Sequence, residues 1–155
     1  ASALGGSGGG KDDVAQGGGA DVTNADLRAQ YAFGVRVRDK ATEANKAVIA
    51  INQDNLGIQS WRFLQSGQLE YWAKPLANDE WAVMILNRSD EAKPVTYQWS
   101  TSRINDDANK RVLDTTKTVF NWTDAWTGKT GDTSKKLESK LAPHGVIVLR
   151  LKARS

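Results

Sequence analysis

The chain has no cysteine. Disulfides and any cysteine-ligated zinc or iron–sulfur centre are therefore excluded, without consequence for the compartment. It has one histidine, His144, so a multi-histidine metal site is impossible and a Ser–His–Asp triad would have to be built on that residue alone. His144 lies in a Pro-His-Gly turn and reads as a contact to a neighbouring domain. No metal and no cofactor are expected. Long apolar runs are missing too: none approaches the ~20 residues that span a bilayer, so no membrane partner is expected. The start at Ala1 shows neither a basic n-region nor an apolar h-region and reads as a processed, truncated or engineered end. A basic stripe is also lacking. Lys and Arg number 21 against 18 Asp and Glu, for a net charge of +3 and a pI of about 9.2. The densest groups, Arg36/Arg38/Lys40 and Lys135/Lys136, have no stacked aromatics in register. Nucleic acid is not an expected partner.

Glycine is unevenly placed. Eight of the fourteen fall in the first nineteen positions, so residues 1–20 read as a flexible arm with too little apolar surface to offset its ordering entropy. They form no phosphate loop, since neither a preceding strand nor GxxxxGK[ST] is present. Residues 21–46 read as a partly helical, poorly defined segment. Leu27 and Tyr31 form a partial stripe, and Thr42 to Lys46 opens a second helix capped by Thr42.

Residues 47–155 read as one antiparallel β-sandwich, giving an all-β fold preceded by the arm and the partly helical segment. The central stretch is Gln68 to Ser89. A strand from Leu69 to Leu76 closes at Pro75, Asn78-Asp79 supplies turn chemistry, and a second strand runs from Trp81 to Leu86. Trp81, Val83 and Ile85 point one way and Ala82, Met84 and Leu86 the other, so both faces are apolar and both should be covered. Ala47 to Ile51 is a compact apolar run, and Trp61 to Leu64 reads as a strand. Val95, Tyr97 and Trp99 alternate with polar residues; Ser100 to Lys110 reads as a loop with Asn105-Asp106-Asp107 at its tip. Further strands are expected at Arg111 to Leu113, Lys117 to Trp122 and Val146 to Leu151, with a loop from Asp124 to Asp132 and alternation from Leu137 to Leu141. Short strands at close spacing between turn signals indicate a sandwich.

Three motifs carry a resemblance. NKAVIAINQDNLGIQ (Asn45 to Gln59), EYWAKPLANDEWAVMILNRSD (Glu70 to Asp90), and DAWTGKTGD with LAPHGVIVLRL (Asp124 to Asp132, Leu141 to Leu151) resemble, in that order, the C-terminal part of glycoside hydrolase family 27, the α-galactosidases and α-N-acetylgalactosaminidases. The resemblance implies an antiparallel β-domain packed on a catalytic (β/α)8 barrel, with the INQD segment at the junction just after the last barrel helix. Asn55 departs from the family, which has proline there. The implied partners are that barrel and α-galactoside sugars. The implied setting is secreted, periplasmic or lysosomal/vacuolar.

Retaining hydrolysis of such sugars needs two carboxyl groups roughly 5 Å apart. The family's pair lies on barrel strands that this sequence does not match. Asp12-Asp13 and Asp106-Asp107 read as solvated pairs, and Asp54 and Asp124 as acceptors of backbone hydrogen bonds in turns. No catalytic residue is assigned. Asn52, Gln53, Asp54, Trp126 and His144 are candidates for the domain interface. Trp61 and Trp126, near strand or loop ends, are candidates for a sugar platform as well, because indole combines a flat apolar face with a polar edge. Trp72, Trp81 and Trp99 read as core. Asn87-Arg88-Ser89 and Asn121-Trp122-Thr123 fit the N-glycosylation pattern but fall in or beside predicted strands, and secretion is not inferred from them. Two functions remain: accessory β-domain of an α-galactosidase-like hydrolase, or a stand-alone sugar-binding or structural sandwich.

Overall fold

A computed structural model describes residues 43–155. The expectations for residues 1–20 and for most of 21–46 lie outside the described residues. Helix α1 (Glu43–Asn52) leads into β1 (Trp61–Ser66), β2 (Leu69–Pro75), β3 (Trp81–Asn87), β4 (Lys93–Tyr97), β5 (Arg103–Asp106), β6 (Arg111–Asp114), β7 (Phe120–Asp124), β8 (Thr130–Asp132), β9 (Leu137–Leu141) and β10 (Val146–Ala153). Six strands make an antiparallel sheet in the order β1-β2-β3-β10-β7-β8. Two ribbons, β4-β9 and β5-β6, complete the sandwich.

The β2–β3 hairpin forms at the predicted place. Its turn puts Asn78 and Asp79 at φ +59° and +57°, the left-handed region that Asn and Asp tolerate best among residues with a Cβ. Register pairs Leu69 with Asn87 and Pro75 with Trp81, and β10 docks on the other side of β3 with Val146 opposite Leu86. Strand β3 is therefore central, and every one of its seven residues is buried. The period of two sorts them into two cores. Trp81, Val83 and Ile85 join Tyr71, Leu149 and Leu151 against Val95, Tyr97, Trp99, Ile104 and Leu113 of the ribbon side. Ala82, Met84 and Leu86 join Val148, Leu76 and Ala125 under Val48 and Ile51 of α1. Both faces are covered, one by the ribbons and one by the helix.

The structure extends or corrects the sequence reading at five places. The helix expected to open at Thr42 to Lys46 runs over Glu43–Asn52 and takes in the compact apolar run Ala47 to Ile51, for which the sequence names no element. A five-residue apolar run fits either element, and the chain before it decides. Ser100 to Lys110 is not all loop: Arg103–Asp106 is a strand whose Ile104 enters the core opposite Leu113. Strand β7 starts at Phe120 rather than Lys117, and Thr130–Asp132 pairs with it inside the expected Asp124 to Asp132 loop. Trp99 ends the β4 alternation in a 3-10 turn yet stays fully buried, edge-on to Tyr97 at 4.7 Å.

Candidate functional site

The face of the six-stranded sheet opposite the ribbons is where charge, indole and helix meet. Helix α1 lays Val48 and Ile51 on it, both fully buried, while Ile49 is half-buried and Ala50 exposed. An amphipathic surface helix would be polar on that outer side. Here the run AVIAI carries two apolar residues beyond the sheet-facing stripe, Ile49 and Ala50, beside the exposed Lys46 and Gln53.

At the C-terminus of α1 Asn52 is half-buried, and Gln53 just past it is exposed. Asp54 turns the chain: its Oδ1 accepts the N–H of Leu56 at 3.0 Å and of Ala77 at 2.8 Å. The second bond ties the junction to the β2–β3 turn, 23 residues on. Lys74, buried on the same face, donates through Nζ to the Ile58 carbonyl. Burial pushes its ammonium below the ordinary value, and the nearby Asp54 charge opposes that. Asp124 behaves alike. Its Oδ1 takes the N–H groups of Trp126 (2.8 Å) and Thr127 (3.2 Å), and Gly128 at φ +74° closes the loop. Trp126 is thus held about one-third exposed (36%) on a fixed turn beside Ala125, which belongs to the α1-side core.

His144 sits at φ +54° in the β9–β10 turn. Its Nε2 lies 2.7 Å from Asp90 Oδ1, its backbone N–H reaches the Ser89 carbonyl at 3.2 Å, and its Nδ1 is buried without a partner. Asn87, beneath it, is fully buried; its Nδ2 donates to the Glu91 and Ala142 carbonyls. The Asn87-Arg88-Ser89 match is therefore inaccessible in the fold, whereas Asn121 is exposed.

The candidate residues do not all converge. His144 and Trp126 lie toward one end of the sheet and Asp54 toward the other, about 20 Å apart for a seven-residue strand. Trp61 is on the β1 edge and Trp126 follows β7 at the far side, separated by several strand spacings of about 4.8 Å. The two indoles cannot flank one sugar ring. Trp61 is half-buried and edge-on to Trp81 at 6.2 Å, against the ribbon-side core. Trp72 is only half-buried, on the α1 side, and Trp81 and Trp99 are core as expected.

Sequence reasoning missed one cluster. Glu70 is fully buried, its Oε1 accepting from Arg62 Nη1 at 2.7 Å and Arg88 Nη1 at 2.8 Å, and its Oε2 from Trp72 Nε1 at 3.2 Å. Burial pushes this carboxyl up, and the hydrogen bonds from Arg88, Arg62 and Trp72 more than reverse it, leaving the group below its ordinary value. A lone acid inside the apolar run from Leu69 to Pro75 was the available signal. Glu80 is similarly engaged by Arg150 Nε at 2.6 Å. These carboxylates are spent on cations and backbone amides. Among the described residues no group of three or more His, Cys, Asp or Glu is placed to hold a metal ion.

Residues 66–151 match the family model described as the alpha galactosidase C-terminal beta sandwich domain. Alpha-galactosidase A of Cellvibrio japonicus is 43% identical over 115 residues, covering 74% of this chain and 28% of that protein. Alpha-galactosidase 2 of Arabidopsis thaliana is 33% identical over 124 residues, covering 77% and 29%. The chain thus spans under a third of the length of these relatives. The crystal structure of alpha-galactosidase I from Mortierella vinacea superposes on 69% of this chain and 26% of its own, with a TM-score of 0.54 and 26% identity. The alpha-galactosidase of Saccharomyces cerevisiae, at 17% identity and a TM-score of 0.55, shares the fold alone. With the sandwich, its hairpin register and the family match all falling on the same residues, this chain belongs to the alpha-galactosidase C-terminal β-sandwich domain family.

Proposed function

We propose that this chain is the accessory β-domain of an α-galactosidase-type hydrolase, and that it stabilises a catalytic (β/α)8 barrel through the α1 side of its large sheet. The observation that carries the reading is helix α1. Its Val48 and Ile51 are sealed against the sheet, while Ile49 is only half-buried and Ala50 is exposed. On this reading α1 is the barrel's last helix, and the second core beneath it is the seam between the two domains. Asp54 fixes the angle at which helix meets sheet. Trp126, beside Ala125, and the half-buried Trp72 extend the contact at its margins. His144 and Asp90 close the far end. The bond cleavage belongs to the barrel, where a pair of carboxylates acts on terminal α-galactosides.

The test is a transplant. Residues 43–155 replace the corresponding segment of the Cellvibrio relative, and hydrolysis of a chromogenic α-galactoside is followed for the chimera and for the purified 155-residue chain. The chimera is expected to turn over substrate and the chain alone to show none. Turnover by the chain alone, or an inactive, unfolded chimera, contradicts the reading.

A further inference from the structure

Between the edge strand β1 and the β5–β6 hairpin runs a trough that the docking role does not use. An open depression of about 450 Å³ lies between the Ile58 to Trp61 approach and the hairpin tip at Asn105 to Asn109. A separate depression of about 350 Å³ lies further along the same two elements, lined by Phe63, Leu64, Arg103 and Ile104. The trough opens at the β1 edge, on the ribbon side of the sheet, away from α1.

We propose that this trough is a binding site for a neutral sugar, with one pyranose ring against Trp61 and its hydroxyls on Gln59, Asn105 and Asp107. The walls are fixed. Asp106, nearly buried, accepts the Asn109 N–H at 3.2 Å and its Nδ2 at 2.8 Å, which sets the hairpin tip. Arg111 then anchors the hairpin to the β2–β3 turn, donating to the Leu76 carbonyl at 3.0 Å. Trp61 is held by Trp81 on its inner side. On these walls stand three exposed side chains, Gln59, Asn105 and Asp107, that have no side-chain partner among the described residues. The two amides offer both donors and acceptors and the carboxylate offers acceptors to sugar hydroxyls, and indole offers the apolar face that a pyranose ring covers. The two carboxylates at the tip disfavour phosphate and nucleic acid. A site made of fixed groups loses little ordering entropy on binding. The proposal is independent of the docking role, since α1 and Trp126 lie elsewhere on the molecule.

The experiment titrates the full chain with galactose and with raffinose, following binding by calorimetry and by backbone amide NMR shifts. Saturable binding is expected. The double variant Asn105→Ala/Asp107→Ala should weaken it about 10-fold, the effect of two lost hydrogen bonds, at an unchanged unfolding midpoint. Trp61→Ala should abolish it, and the two tip substitutions keep the test valid if that variant unfolds. Trp126→Ala should bind as the parent does. No saturable binding of either sugar overturns the proposal. So does binding that survives the double variant or is lost on Trp126→Ala.

Discussion

At the scale of single residues, three positions carry more than their sequence neighbourhood implies. Gly131 faces Trp122 across the β7–β8 pair, and a Cβ at that position would lie 2.2 Å from the indole ring. Gly131→Ala must push the ring off its seat and should cost about 1–3 kcal/mol in a urea unfolding titration, as overpacking does. Glu70 is the acid between two guanidiniums. Removing it in Glu70→Ala leaves both cations facing a buried void, but Arg62 and Arg88 are themselves partly exposed and can regain water. The expected loss is about 2–3 kcal/mol, below the figure for a fully buried pair. Asp132 is held down by Ser134 and then by Arg154, whose Nη2 lies 2.7 Å from Oδ2, so that its carboxyl titrates at about 2 against an ordinary 3.8. A depressed acid stabilises the fold above its unfolded value and loses that contribution as pH falls through the folded one. Stability should therefore drop between about pH 4 and pH 2 by a component that Asp132→Asn removes, visible as a flatter acid limb of the unfolding midpoint.

At the scale of elements, α1 is the least self-sufficient. Ten residues are too few for a stable helix in water, so packing must hold it. Ile51 is fully buried beneath it, and Ile51→Ala should lower stability by about 2–4 kcal/mol and increase binding of a hydrophobic dye as the sheet's second face opens. The strands that alternation exposes were legible: Trp81 to Asn87 and Val146 to Ala153 have strong β-formers on two buried faces, and the structure adds only a residue or two at their ends. Strands β5 and β8 were not legible. RIND and TGD have turn composition, and what makes them strands is the partner across the ladder, which a local pattern does not contain. Helix α1 was legible at its start, Thr42 to Lys46, and its extension was missed for a different reason. Val48, Ile49 and Ile51 favour β locally, and the helix is selected by the sheet face it covers. The candidate site was legible as types more than as places. Asp54 accepts backbone N–H groups in a turn as read from the sequence and Trp126 is exposed, while Glu70 hid inside an apolar run and the Trp61 depression needed the fold to bring residues 59 and 107 together.

At the scale of the molecule, a strand with two apolar faces sets the architecture. One face is closed by the chain's own ribbons and the other by a short helix whose Ile49 and Ala50 keep some exposure, and the proposed function places a neighbouring domain there. An interface of that kind couples the unfolding of its two halves. Scanning calorimetry of the chimera that joins residues 43–155 to the relative's barrel tests this most directly, with Ile49→Asp placed on the open side of α1. The account predicts a single cooperative transition for the parent chimera, split into two by the substitution as the sandwich melts apart from the barrel. Two independent transitions in the parent, unmoved by Ile49→Asp, would contradict it.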